Sequence, residues 1–135
     1  IDSMNFLQNI LKENKKKFIP LNVSAPFHCS LMKPSAESMK DKINSTNFDK
    51  PNYDIVCNVS SMPENKPEKI KSFLIDQICS PVRWRESIIN MVNANISEFI
   101  EIGPGKVLSG MAKRTVKNIN CFSINSIDDI KKIIK

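Results

Sequence analysis

The sequence predicts an α/β domain, and three observations carry that prediction. Segments with apolar residues at helical spacing alternate with short apolar runs of strand length. A Gly-Pro-Gly turn at 103–105 follows one such run and opens a helical pattern, the order expected where strands pair in parallel. The chain has 135 residues, 41% of them apolar and 25% charged, which suits one packed domain.

Taken in order, residues 1–14 set Met4, Leu7, Ile10 and Leu11 on one helical face and end in a polar run at 14–17. Residues 18–23 then form a strand. Met32, Ala36, Met39 and Ile43 mark a second helix, with Pro34 in its first turn, where the missing N–H is not needed. Residues 54–59 are a short strand that runs into a loop at 61–65. Pro67 opens a helix whose apolar face is Ile70, Phe73, Leu74 and Ile78.

Gln77 falls on that same face. A glutamine there needs hydrogen-bond partners or costs about 1–3 kcal/mol, so it is either half-exposed at an edge or part of a polar site. Pro81 separates this helix from another that carries Trp84, Ile88, Met91 and Val92. Residues 97–102 are apolar enough for a buried strand, and the glycine turn leads to a helix with Val107, Leu108, Met111 and Ala112. The free N–H groups at that helix start could hold a phosphate or a carboxylate, or the turn could serve only to reverse the chain. A last strand at 121–125 and a terminal helix at 127–134 complete the pattern, so the sheet is parallel and takes its other strands from outside this chain.

Composition narrows the functional classes. No apolar run approaches 18 residues and no charged-then-apolar leader opens the chain, so neither a membrane span nor a secretion signal is expected. Cys29, Cys57, Cys79 and Cys121 contain no Cys-x-x-Cys pair and stand beside a single histidine, which argues for reduced thiols and against zinc. The net charge is +6, and all basic residues but Arg83, Arg85 and Arg114 are lysines. These bases are scattered and not interleaved with aromatics, so nucleic acid is not the expected partner. A basic surface does suit an acidic protein or a phosphate-bearing ligand.

The one histidine, His28, lies in Val23-Ser24-Ala25-Pro26-Phe27-His28-Cys29-Ser30, between a predicted strand and a predicted helix. An imidazole can take and return a proton near neutrality, and strand-to-helix loops are where α/β enzymes keep such groups. A Cys29–His28 nucleophile pair is disfavoured, since neighbours on an extended chain point to opposite sides.

Three motifs place His28 in context. The run Pro20 through Pro34 around it, the segment Asp76-Gln77-Ile78-Cys79-Ser80-Pro81-Val82-Arg83-Trp84, and the segment Glu101-Ile102-Gly103-Pro104-Gly105-Lys106-Val107-Leu108 through Arg114 occur in that order. In wording and spacing they resemble the C-terminal part of malonyl-CoA:acyl carrier protein transacylases, over nearly the whole chain. The resemblance implies a partial α/β-hydrolase-like acyltransferase body over 25–135, a parallel sheet with flanking helices, preceded at 1–24 by the end of a ferredoxin-like small subdomain. It implies malonyl transfer from malonyl-CoA to the phosphopantetheine thiol of acyl carrier protein, in fatty-acid synthesis, with no cofactor, in the cytoplasm or an organellar matrix. It also implies that His28 is the base, that the main-chain carbonyl of Gln77 receives its second N–H, and that Phe27 walls the acyl pocket. Domains that accept branched units have a small residue at the Phe27 position, so Phe27 implies malonyl over methylmalonyl.

One part of the family pattern is missing. The nucleophilic serine sits in Gly-x-Ser-x-Gly, with glycines four positions apart. Here Gly103, Gly105 and Gly110 are the only glycines, and no two have that separation. The oxyanion-hole segment and the carboxylate-binding arginine of the family have no match either, and the chain opens at Ile1 without methionine. The expectation is the histidine half of a transacylase, inactive alone and partnered by a missing N-terminal half. A polyketide-type acyltransferase and a non-catalytic fragment that at most binds are the alternatives.

Overall fold

The computed structural model describes residues 2–20, 23 and 25–133. Helix α1 (Asp2–Glu13) closes with Lys15 in the left-handed region (φ 53°) and a hydrogen bond from Lys16 N to Leu11 O (2.8 Å), the cap in which such a residue ends a helix. The apolar row Met4, Leu7 and Ile10 is nevertheless exposed. The strand predicted at 18–23 is not found: residues 18–20 and 23 are in no strand, and 21 and 22 lie outside the described residues. An apolar pair such as Phe18-Ile19 becomes a strand only when another strand takes its main-chain hydrogen bonds.

A short 3₁₀ turn (Ser30–Met32) leads into helix α2 (Lys33–Ser45), with Pro34 in the first turn as expected. Strand β1 (Ile55–Val56) pairs antiparallel with β2 (Pro63–Glu64), setting Ile55 opposite Glu64 and Val56 opposite Pro63. The predicted loop at 61–65 therefore contains a strand. Nothing in its side-chain pattern announces this, because a proline at a two-residue edge strand carries no apolar alternation. Helix α3 (Pro67–Asp76) packs on α2, and the pair buries Ala36 and Ile70.

Helix α4 (Trp84–Asn93), strand β3 (Glu98–Ile102), helix α5 (Val107–Thr115), strand β4 (Asn120–Ile124) and helix α6 (Ile127–Ile133) follow. Strands β3 and β4 are parallel, in register from Glu98 opposite Asn120 to Ile102 opposite Ile124. The chain is thus mixed helix and sheet with a parallel strand pair, as predicted, but the strand expected at 54–59 is only β1, antiparallel to β2 in a separate sheet because the short turn between them reverses the chain. Between the strands Gly103 and Gly105 hold φ of 137° and 98°, and an added Cβ would meet nothing within 4 Å. Their need is conformational: a side chain would strain the backbone there without clashing with neighbours.

α5 packs on both strands and on α4, and Ile88 and Ala112 are buried there. The opposite face is different. The strand expected at 97–102 is β3, but it is not buried on both sides: Ile100 and Ile102 (81% exposed) stand open, with Phe122 of β4 beside them. Parallel sheets normally have both faces covered. The total accessible surface, 10727 Å², is about half as much again as the roughly 7,100 Å² of a compact monomer of this 15.3 kDa mass. Many large apolar side chains are at the surface.

Candidate active site

His28 lies where the chain turns into the 3₁₀ segment, with φ of 58°. That left-handed conformation is costly for any residue with a Cβ, and such outliers persist where the surroundings enforce them. Its ring is fixed from afar. Nδ1 lies 2.8 Å from the main-chain oxygen of Gln77, 49 residues along the chain. A carbonyl oxygen can only accept, so Nδ1 carries the hydrogen and donates it. In the neutral ring that leaves the lone pair on Nε2, the nitrogen placed to accept a proton.

The oxygen of Gln77 is available for a local reason. The last carbonyls of a helix have no partner within it. Gln77 caps α3 and donates its own N–H to Phe73 O (3.0 Å), while the N–H groups of Ile78 and Cys79 turn back to Ile75 O and Asp76 O. The negative end of the helix dipole also faces the ring and favours a hydrogen on the facing nitrogen. The side chain of Gln77 is half-buried and accepts a hydrogen bond from Asn58 Nδ2 at 3.4 Å. Both readings of the sequence thus meet in one residue, which is partly exposed and belongs to a polar cluster.

Asn58 had no sequence signal. It lies in the turn after β1, and only the fold brings it to the end of α3. The turn is held by α4: Arg83 N donates to Asn58 O (3.1 Å), Arg83 Nη1 to Ser60 O (3.3 Å) and Asn90 Nδ2 to Ser61 O (2.8 Å). Phe27 is adjacent to His28 in sequence and 57% exposed, so any pocket it walls needs a surface from elsewhere.

Cys29 is next to His28, yet its thiol donates to Pro26 O at 3.1 Å. Among the described residues all four cysteines are free. Burial, and secondarily the Glu64 charge, push the Cys57 thiol up, which makes it a poor nucleophile. No group of three or more metal-ligating side chains occurs among the described residues, and none of their helices is long and apolar enough to cross a membrane.

The helix start after the glycine turn is occupied by the chain itself. Glu101 accepts from Leu108 N (3.1 Å) and Ser109 N (2.8 Å), so the N–H groups expected to be open to a phosphate hold a carboxylate of β3. The Ser109 side chain, with the main-chain N–H groups, holds the Glu101 carboxyl below the usual range. Asn125 Oδ1 accepts from Gly105 N (2.6 Å) and closes the turn from β4. A cavity of about 190 Å³ is lined by Trp84 and Ile88 of α4, Phe99 of β3, and Leu108 and Ala112 of α5. It includes neither His28 nor Gln77.

The site is a histidine aimed by a main-chain carbonyl at the end of a helix, in a mixed α/β chain, and its Nε2 is free of that bond to take up a proton. No protein-family model matches the chain. It is 39% identical over 127 residues to the malonyl CoA-acyl carrier protein transacylase of Bacillus subtilis, across 93% of this chain and 40% of that one. The solved acyl carrier protein S-malonyltransferase of Vibrio cholerae superposes with a TM-score of 0.83 at 38% identity, over 93% of this chain and 41% of the other. A malonyl transacylase solved in complex with its type II polyketide acyl-carrier protein gives 0.85 at 31% identity, over 97% and 43%. The chain belongs with the malonyl-CoA:acyl carrier protein transacylases and matches their C-terminal part. It spans about two fifths of the length of the curated relatives it matches.

Proposed function

We propose that this chain carries the general base of a malonyl-CoA:acyl carrier protein transacylase and works together with an N-terminal portion that supplies the nucleophile. The observation that carries the reading is the 2.8 Å contact between His28 Nδ1 and Gln77 O, which leaves Nε2 as the proton acceptor. In the first half-reaction a serine of the N-terminal portion attacks the malonyl thioester carbonyl while Nε2 takes the hydroxyl proton. The tetrahedral adduct collapses to a malonyl-serine ester, and the departing coenzyme A thiolate takes that proton back. In the second, Nε2 takes the proton of the carrier's phosphopantetheine thiol, the sulfur attacks the ester, and the proton returns to the serine oxygen. Gln77 O stabilises the imidazolium in both.

The same reading assigns residues 25–133 to an α/β-hydrolase-like body and the α1 segment to the end of a ferredoxin-like subdomain. The open face of β3 and β4, together with the excess accessible surface, supports an N-terminal portion as the missing cover. Malonyl-CoA and acyl carrier protein of fatty-acid synthesis are the substrates, and the positive net charge suits both. They imply a compartment that holds coenzyme A esters, the bacterial cytoplasm or an organellar matrix. No nucleic acid, membrane or cofactor enters the scheme.

The test uses radiolabelled malonyl-CoA and acyl carrier protein. The chain alone should give no labelled carrier, and adding the N-terminal portion should restore transfer. In the reconstituted enzyme His28→Ala should lower both half-reactions by roughly 10²- to 10⁴-fold. Gln77→Ala keeps the main-chain oxygen and should cost far less. Transfer by the chain alone, or near-full activity of His28→Ala, would overturn the proposal.

A further inference from the structure

We infer that Asn58 is a positioning residue for His28, acting through Gln77; the inference rests on the reading of His28 as the base. The carbonyl that aims the ring lies at the C-terminal cap of α3. Its own residue is tied back to the helix through the N–H of Gln77, which reaches Phe73 O, and the next two N–H groups close tighter turns. A peptide unit in that position can rotate, and with it the direction in which its oxygen points. The Asn58 amide opposes such rotation from the other side, by holding the Gln77 side chain through Nδ2 to Oε1 at 3.4 Å.

Asn58 can do this because its own main chain is anchored. Its oxygen is taken by Arg83 N at 3.1 Å, and the turn is stapled to α4 through Ser60 and Ser61. Both amides are half-buried, so neither can exchange its partner freely for water. The result is a relay from α4, through Asn58 and Gln77, to the imidazole. The Asn58 side chain bonds Gln77 and not the ring, so its effect is on which nitrogen carries the hydrogen.

His28 is the only histidine, so the ring-nitrogen spectrum of the ¹⁵N-labelled chain reports on it alone. At alkaline pH, with the ring neutral, the Nδ1–H tautomer should dominate, the reverse of free imidazole side chains. Asn58→Ala, and the isosteric Asn58→Asp that lacks the donor, should lower the Nδ1–H to Nε2–H ratio by about two- to fivefold, within what one neutral hydrogen bond is worth. Gln77→Met removes the acceptor from the other side and should do the same. The double variant Asn58→Ala with Gln77→Met should shift the ratio no further than either single change, as for two groups acting through one contact.

An unchanged tautomer ratio in folded Asn58 variants, or additive shifts in the double variant, would overturn the inference and leave the role of His28 intact. An Nε2–H tautomer dominating in the unmodified chain would instead remove the His28–Gln77 bond and overturn both.

Discussion

The left-handed backbone of His28 can be separated from its ring chemistry by comparing two substitutions at one site. At φ of 58° a Cβ crowds the following carbonyl, at a cost of about 1–2 kcal/mol that glycine does not bear. Glycine is also freer in the unfolded chain, which returns about 0.4–1 kcal/mol to the other side. The difference leaves His28→Gly more stable than His28→Ala by about 0.5–1 kcal/mol. Both variants lose the same bond to Gln77, and the exposed ring leaves no cavity in either, so the comparison isolates the backbone. Urea unfolding of the two variants at matched slope measures the difference, and a melting difference of about 2–5 °C accompanies it. If His28→Ala equals or exceeds His28→Gly, the left-handed strain is not present and the explanation of the ring's placement fails. Both variants should lose the same roughly 10²- to 10⁴-fold of transfer in the reconstituted enzyme.

Three further outcomes follow from particular contacts. The Glu101 carboxyl titrates below its unfolded value, so its stabilising effect is present above the ordinary carboxylate range and is lost as pH falls through the lowered folded value. Denaturation of the chain and of Glu101→Gln should therefore differ at neutral pH and converge in acid; a gap that does not narrow refutes the bonds to Leu108 and Ser109. Ile102 is 81% exposed, so Ile102→Lys should change the stability of the chain itself by no more than about 0.5 kcal/mol. It should nevertheless weaken binding of the N-terminal portion by about tenfold or more, the worth of burying an isoleucine, as followed by fluorescence of the single Trp84. An unchanged Kd takes this sheet face out of the interface. In the reconstituted enzyme Phe27→Ser should raise methylmalonyl use relative to malonyl by about 1–3 kcal/mol in discrimination, and an unchanged kcat/KM ratio would mean that Phe27 lines no acyl pocket.

Local chemistry is what a sequence states directly, and it was sufficient for the helices. Pro34 and Pro67 each mark a first turn because a ring without an N–H fits only there, and helical spacing of apolar residues located α1 to α5 to within a few residues. The lone histidine and the absence of a Gly-x-Ser-x-Gly elbow are also facts of the sequence alone. So is the resemblance that led to Gln77, whose oxygen then lay at hydrogen-bond distance from His28.

What the sequence could not state is any contact made by groups far apart along the chain. The pairing of Pro63-Glu64 with Ile55-Val56 arises from main-chain geometry without side-chain alternation, and the run at 18–23 looks like a strand but has no strand hydrogen bonds among its described residues. Asn58 is an ordinary turn asparagine until α4 holds its turn against the end of α3. Glu101 could have faced solvent, yet it closes the start of α5, because the tight glycine turn returns that helix over the strand that carries it. Periodicity decides which way a side chain points within its own element, whereas the packing of elements against one another decides what it meets. Here that packing leaves Ile100, Ile102 and Phe122 exposed on the parallel strand pair, although their alternation along the strands reads as a face to be buried.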